Sequence, residues 1–478
     1  YQMISSRIAA KAGPSQISGA FGYRDQLQDA LAMLWIDPAW VRGHILLSAA
    51  HQFVEGDALS WWLPTSEFGA RTRMSDPHLW LVYATLRYVR ATGDRAILEE
   101  RIPFLEGNGP LSGSRRVDAG VFRRTQDEGT LFEHLLRAIE QSLTAGSHGL
   151  PLIRDADWND GMNNVGTEGK GESVWLAMFL VDILDDAAEL VETLADPDRA
   201  LRYRRAASNY REAIRTHGWD EKWYRRAYTD DGIPLGAISG RTFAVDTLTQ
   251  SWAVFSEIDP DRAAHAVRET ASALAIWNGH VPLLSPVLRG GIDLGTISDY
   301  PPGVRENGSQ YNHAALWFAS ALAKIGDPDM AKVALDAVDP FLRSEKEGID
   351  VYRGEPYAIA AEVYSAPTYP GRAGWTWYTA SAGLYFRVVI ETFLGLERLG
   401  DTLAIRPHLP RAWDGAEVEL ARGSARYRLT YRFVAGDSLT PIVRIVAGGR
   451  VLPGDQVAFV DDGVVHDLVV EIAIVPAE

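Results

Sequence analysis

Cysteine is absent from the 478 residues, which excludes disulfides, thiolate metal sites and a cysteine nucleophile. Lysine and arginine are outnumbered by acids, 47 to 63, and the formal charge is −16. No basic cluster is longer than a few residues, so nucleic acid and anionic membrane surfaces are poor partners. No apolar run reaches the length of a bilayer span, and no internal repeat is visible. The chain lacks an initiator methionine, beginning Tyr1-Gln2-Met3 in a helix-like pattern, and further sequence upstream is expected. Aromatic residues are plentiful: 15 tryptophans and 18 tyrosines suit a carbohydrate site, and equally a large core. At 46% hydrophobic composition, the length allows one large domain and a smaller one.

Through residue 399 the apolar pattern is helical. Segments read as helices are 26–36, 40–53, 77–92, 130–144, 172–194, 200–217, 244–256, 262–275, 310–325, 330–338 and 375–399. Gly-Asp and Asp-Pro pairs punctuate their ends, as at Gly93-Asp94, Asp259-Pro260 and Asp327-Pro328. About a dozen non-repeating helices with almost no strand signal predict an all-α toroid. The loops 54–76, 106–129, 145–171, 277–309 and 352–374 are long and rich in Trp, Asp, Arg and Gly. They recur after roughly every second helix, so they should gather at one end and form a cleft. Beyond residue 399 the period becomes two, predicting a small antiparallel β domain over 400–478.

The most chemically loaded loop is Asp155-Ala156-Asp157-Trp158-Asn159-Asp160-Gly161. Acids this close resist ionising together, so at least one should have a raised pKa. Such an acid beside an indole can protonate a sugar's leaving oxygen while the ring stacks. The alternative is an Asx-rich turn that caps a helix or holds a cation. Four further stretches combine charge, aromatics and glycine. In the 21–29 stretch Arg24 stands at a helix start, with Asp25 and Asp29 four apart on one face; capping and an Arg–Asp pair would explain them equally. Tyr300 to Gly308 carries Arg305 and Glu306 and leads to His313 in a first helical turn, where backbone N–H groups also bind anions. Gly371 to Gly383 holds Thr379-Ala380-Ser381 at a turn into a helix, suited to cradling phosphate or to close packing. Gly69 to His78 offers Arg71 and Arg73 beside Asp76, for acceptor-sugar hydroxyls or a helix cap.

Together these motifs resemble glycoside hydrolase family 94, the inverting glycoside phosphorylases. The similarity is carried by GAFGYRDQLQD (19–29), QFVEGD (52–57), DWNDGMN (157–163), YPPGVRENG (300–308), YNHAALW (311–317) and GRAGWTWYTASAG (371–383). They look most like 1,2-β-oligoglucan phosphorylases and the phosphorylase-like region of cyclic β-1,2-glucan synthases. The resemblance implies an (α/α)6 barrel followed by a small β domain, with the family's N-terminal β-sandwich lying before residue 1. It implies Asp160 as general acid and Arg24, Asp25, Asp29, Trp158, Asn159, Arg305, Glu306 and Arg71 as substrate-binding residues. Lys11, His313, Thr379, Ala380 and Ser381 would bind phosphate, and Lys11 replaces an arginine of the family. Segment 107–125, with its arginine cluster, departs from the family pattern. The implied reaction is reversible phosphorolysis of β-linked gluco-oligosaccharides, β-1,2-glucans foremost, releasing α-D-glucose 1-phosphate. Phosphate is then a co-substrate, with no cofactor or metal, in a cytoplasmic homodimer. An inverting hydrolase, with Glu306 or Asp157 as base, and a non-catalytic or chain-length-controlling module of a glucan synthase are the alternatives.

Overall fold

The computed structural model describes residues 1–9, 19–109, 111, 115–240, 242–436 and 442–474. Asp-Pro pairs, read from sequence as helix ends, instead open helices. The aspartate caps and the proline, with no N–H to satisfy, takes the first turn. This holds for α2 (Pro38–Ala49), α6 (Pro197–Ala213), α8 (Pro260–Ala273) and α10 (Pro328–Asp336). The other principal helices are α1 (Tyr23–Ala30), α3 (Pro77–Thr92), α4 (Leu131–Ser142), α5 (Val174–Thr193), α7 (Thr247–Phe255), α9 (Asn312–Lys324) and α11 (Ser381–Arg387).

The odd-numbered helices α1, α3, α5, α7, α9 and α11 touch in succession, and α11 returns to α1. Each of α2, α4, α6, α8 and α10 packs on its predecessor. The first half of helix α5 is apolar all round and buries Val174 through Val181 continuously, as an interior helix must. Rings connect this interior to the long loops. Trp80 meets Phe179 at 4.6 Å, Phe179 meets Trp252 at 5.0 Å, Trp252 meets Trp317 at 5.4 Å, and Trp317 meets Trp158 at 5.0 Å. Much of the tryptophan content is therefore core. Among the described residues no helix is long and apolar enough to cross a bilayer.

Three expectations need correction. The long loops contain strands: 59–62, 68–72 and 117–121 form one sheet with 21–22, and 123–130 pairs with 101–106. The predicted 375–399 helix is shorter, because Ala373–Thr376 is a strand and Leu396–Leu399 pairs with Thr402–Ile405. A π-turn over Val388–Phe393 extends α11. The C-terminal sheet contains β1 (Glu417–Arg422), β2 (Ala425–Ala435), β3 (Ile442–Ala447), β4 (Arg450–Val451) and β5 (Val465–Ile474) in the order β1-β2-β5-β3-β4. It is not wholly antiparallel. β2 and β5 run parallel, because the intervening strands carry the chain back before β5 begins. Its core, including Tyr427, Leu429 and Ile472, continues into Ile390 and Leu394, and Tyr431 Oη donates to the Leu394 carbonyl at 2.9 Å.

Candidate active site

Of the three acids in the 155–161 loop, two are clamped by arginines. Asp155 accepts from Arg73 and from Arg116 Nε at 3.2 Å. Asp157 is fully buried and accepts from both Nη atoms of Arg226, Nη1 at 2.7 Å, and from Ser173 Oγ at 2.7 Å. Burial pushes the Asp157 carboxyl up, but Arg226 and these bonds outweigh it and hold it below the usual carboxylate range. The Asn159 N–H donates to Asp157 at 3.1 Å, and the Asn159 side chain accepts from the Gly161 N–H at 3.1 Å. This Asx turn opens the short 3₁₀ turn Asp160–Met162. Gly161 presses on Ile297, where a Cβ would stand 3.0 Å from the isoleucine Cβ. Only Asp160 is left open, with 57% of its side chain exposed and Arg24 bonded to it.

Asp160 lies where the N-termini of the interior helices meet. Arg24, in the first turn of α1, donates through Nη1 to Asp76 at 3.0 and 3.2 Å and to the Asp157 carbonyl at 3.2 Å. Asp76 precedes α3 but does not cap it; its carboxylate takes Arg24 and the Trp80 Nε1–H instead. Ser173 caps α5, and Asp246 caps α7 while standing 3.7 Å from Arg226. His313 lies in the first turn of α9, and Thr379 Oγ1 accepts the Ser381 N–H at 3.1 Å where α11 begins. Converging helix N-termini make this end electropositive.

The electrostatics differ from side chain to side chain. Crowding by protein raises the Asp160 pKa, with Asp25 and Asp157 adding and Arg24 opposing. Asp25 accepts from Arg7 at 3.0 Å; burial raises it, but Arg7 and Arg24 bring it below its ordinary value. Burial holds His313 at about 3, and so neutral, with Arg7, Arg24 and Arg387 adding to the effect and Asp25 opposing. Glu306 is buried and raised, and its Oε2 has no hydrogen-bond partner. Behind it Glu362 is raised by burial to about 7, accepts from Ser309 at 3.2 Å and lies 3.9 Å from Arg305.

The long loops do meet here. Thr296 donates to Asn163 at 2.8 Å, Met74 bridges Arg154, and Arg116 from the divergent segment reaches Asp155. Trp158 stands 5.4 Å from His313 and 5.7 Å from Tyr311, joining the acid's loop to α9. Three residues expected at substrate are placed otherwise. Arg71 is buried over the Phe53 ring, with donors taken by Asp57, Glu55 and the Gly109 carbonyl. Asp29 is buried on Arg7 at 2.8 Å, and burial raises it to about 6. Asn159 uses its side chain to shape the turn. Lys11 lies outside the described residues. Arg7, Arg226 and Glu362 were not singled out by sequence, and Asp76 was read there only as the acid beside Arg71 and Arg73. A cavity of about 610 Å³ lies instead around the C-terminal halves of α3, α5 and α9 and contains the Arg387–Glu391 pair. Among the described residues no group of three metal-ligating side chains converges.

The chain is 39% identical over 93% of its length to the cyclic beta-(1,2)-glucan synthase NdvB of Rhizobium meliloti strain 1021, covering 16% of that protein. It is 30% identical over 94% of its length to the solabiose phosphorylase of Paenibacillus borealis, covering 56%. It is 25% identical over 90% of its length to the 1,2-beta-oligoglucan phosphorylase of Listeria innocua, covering 41%. The chain thus spans little more than half of these relatives at most. In fold it is similar to the GH63 mannosylglycerate hydrolase of Thermus thermophilus, with a TM-score of 0.51 and 12% identity, covering 80% of this chain and 98% of that one. The GH78 rhamnosidase of a Bacillus species gives a TM-score of 0.53 at 12% identity, covering 96% of this chain and 41% of that one. Residues 1–395 match the catalytic-domain model of the glycosyl hydrolase 94 superfamily, and the chain belongs to that family.

Proposed function

We propose that this chain catalyses inverting, reversible phosphorolysis of β-linked gluco-oligosaccharides, with β-1,2-glucans as the favoured class, and releases α-D-glucose 1-phosphate. The circuit of six interior helices is then the (α/α)6 toroid, and the protein works as a cytoplasmic homodimer. The observation that carries the reading is the asymmetry of the acidic loop: Asp160 is open and raised, while Asp157 is locked to Arg226. Asp160 gives its proton to the bridging oxygen as the bond from that oxygen to the anomeric carbon breaks. A phosphate oxygen forms the new bond from the opposite face, so configuration inverts. Trp158, Arg24, Asp25, Arg305 and Glu306 line the sugar, and His313 with Thr379, Ala380 and Ser381 faces the phosphate. Neutral His313 can donate one N–H without titrating near neutrality.

A hydrolase would need a free second carboxylate about 6.5–9.5 Å from the acid to activate water. Asp157 is buried and held ionised by its arginine, which disfavours it for that task. The test is incubation of β-linked gluco-oligosaccharides with and without phosphate. Glucose 1-phosphate formed only with phosphate is expected, and glucose release without phosphate would overturn the reading. The 39% identity to a glucan synthase favours one second reading, a non-catalytic or chain-length-controlling module. Saturable oligoglucan binding with no product under either condition would support it.

A further inference from the structure

Trp375 is left without a task by the scheme above. It lies in strand Ala373–Thr376 at a φ of 54°, and Trp377 follows at 71°. A bulky side chain in this left-handed region is strained and persists only where its surroundings impose it. The surroundings here are explicit. At Gly374 a Cβ would meet the Glu362 side chain at 2.7 Å and the Tyr364 ring at 2.6 Å, so the backbone is pressed inward and the next side chain turns out. Trp62, Trp80, Trp175 and Trp252 are at most 2% exposed, whereas Trp375 is 58% exposed.

The exposed ring is tied to the site. The Arg305 guanidinium lies 5.1 Å from its centroid and 5.8 Å from that of Tyr311, and Arg305 itself has a φ of 51°. Arg305 also lies 3.5 Å from Glu306, whose second oxygen has no partner. Tyr311 stands 5.7 Å from Trp158, two residues before Asp160. A largely exposed indole, a guanidinium over its ring and an unpaired carboxylate oxygen in one run suit a pyranose, which presents a C–H face and hydroxyls together. Arg305 and Tyr311 stand between Trp375 and Trp158, so Trp375 does not touch the ring beside the acid's loop directly.

We propose that Trp375 is a stacking platform for a glucosyl unit beyond the two that flank the scissile bond, so that it sets preference for chain length. This rests on the phosphorolysis reading and names its substrate class: oligosaccharides of three or more units. The test is kcat/KM for phosphorolysis across the disaccharide to pentasaccharide series in the parent, Trp375→Phe and Trp375→Ala. Losing one stacked ring is expected to lower the ratio of long-chain to disaccharide kcat/KM about tenfold in the alanine variant, through KM. The phenylalanine variant should keep most of the ratio. A ratio unchanged in Trp375→Ala, or lost equally in Trp375→Phe, overturns the proposal. If Trp375→Ala does not fold, Trp375→Phe and Trp375→Leu decide: the ring should keep the ratio and the aliphatic side chain lose it. If the parent forms no glucose 1-phosphate, the phosphorolysis reading fails by itself. Calorimetric titration with tetrasaccharide and disaccharide then tests the platform, which is refuted if Trp375→Leu leaves the affinity ratio intact.

Discussion

Replacing Arg226 with methionine tests how the acidic loop is held. Arg226 and Asp157 are both fully buried, joined through two bonds, and Asp246 lies 3.7 Å from the same guanidinium. Methionine fills much of the volume but leaves two carboxylates in the interior without their cation. Breaking a buried pair in this way costs about 3–5 kcal/mol, a large part of the stability of an ordinary domain. The sign of the pH dependence is also fixed. In the parent, Arg226 holds Asp157 below the usual range, so its ionised form favours the fold at any pH above the ordinary carboxylate value. In the variant only the Ser173 and Asn159 hydrogen bonds oppose burial, Asp157 rises, and the stability it contributes at low pH is lost as pH increases. Urea denaturation at pH 5 and pH 8 should therefore show the larger deficit at pH 8. Asp157→Asn combined with Arg226→Met should regain part of the stability, yet activity should stay low because Asn159 and Asp160 take their geometry from Asp157. A deficit below about 1 kcal/mol, or one that grows toward acid pH, would refute the reasoning.

Other consequences are simpler to measure. Arg24 opposes the raised pKa of Asp160, so Arg24→Gln should shift the alkaline limb of kcat/KM to higher pH; a shift to lower pH would contradict the assignment. Glu362 titrates at about 7 in the fold against an ordinary 4.5, so its contribution to stability is present below 4.5 and lost as pH rises through about 7. Glu362→Gln should thus gain on the parent by up to about 3 kcal/mol at alkaline pH and by nothing near pH 4, read from denaturation across that range.

Helix-period sequence was the most readable part of the chain. Pro77–Thr92 is a helix over the same residues that the pattern implied, because apolar spacing and a following glycine agree there. Period alone could not reveal the strands inside the long loops, which are short and half-polar. Nor could it place the parallel pair of the C-terminal sheet, which depends on a distant return of the chain. The motif of three acids was correctly read as chemically uneven, but for another reason. Their inequality comes less from mutual repulsion than from partners far along the chain: Arg73 and Arg116 on Asp155, Arg226 on Asp157 and Arg24 on Asp160. Arg226 lies among Trp223, Tyr224 and Arg225 with nothing local to mark it. Glu362 is equally silent, and only the crowding at Gly374 shows why a glycine stands opposite it. Arg71 shows the converse. A cation in a polar, glycine-rich motif looks free to meet a ligand, yet it is consumed by acids of the turn that leads into its own sheet.

The claim that Asp160 protonates the departing sugar is tested most directly by pairing Asp160→Asn with two leaving groups. With a natural oligosaccharide and phosphate, turnover should fall by about 10²–10⁴, the usual contribution of a general acid. With a dinitrophenyl β-glucoside, whose phenolate departs without a proton, the same variant should keep most of the parent's phosphate-dependent rate. Equal losses on both substrates, or undiminished turnover of the oligosaccharide, would contradict the account.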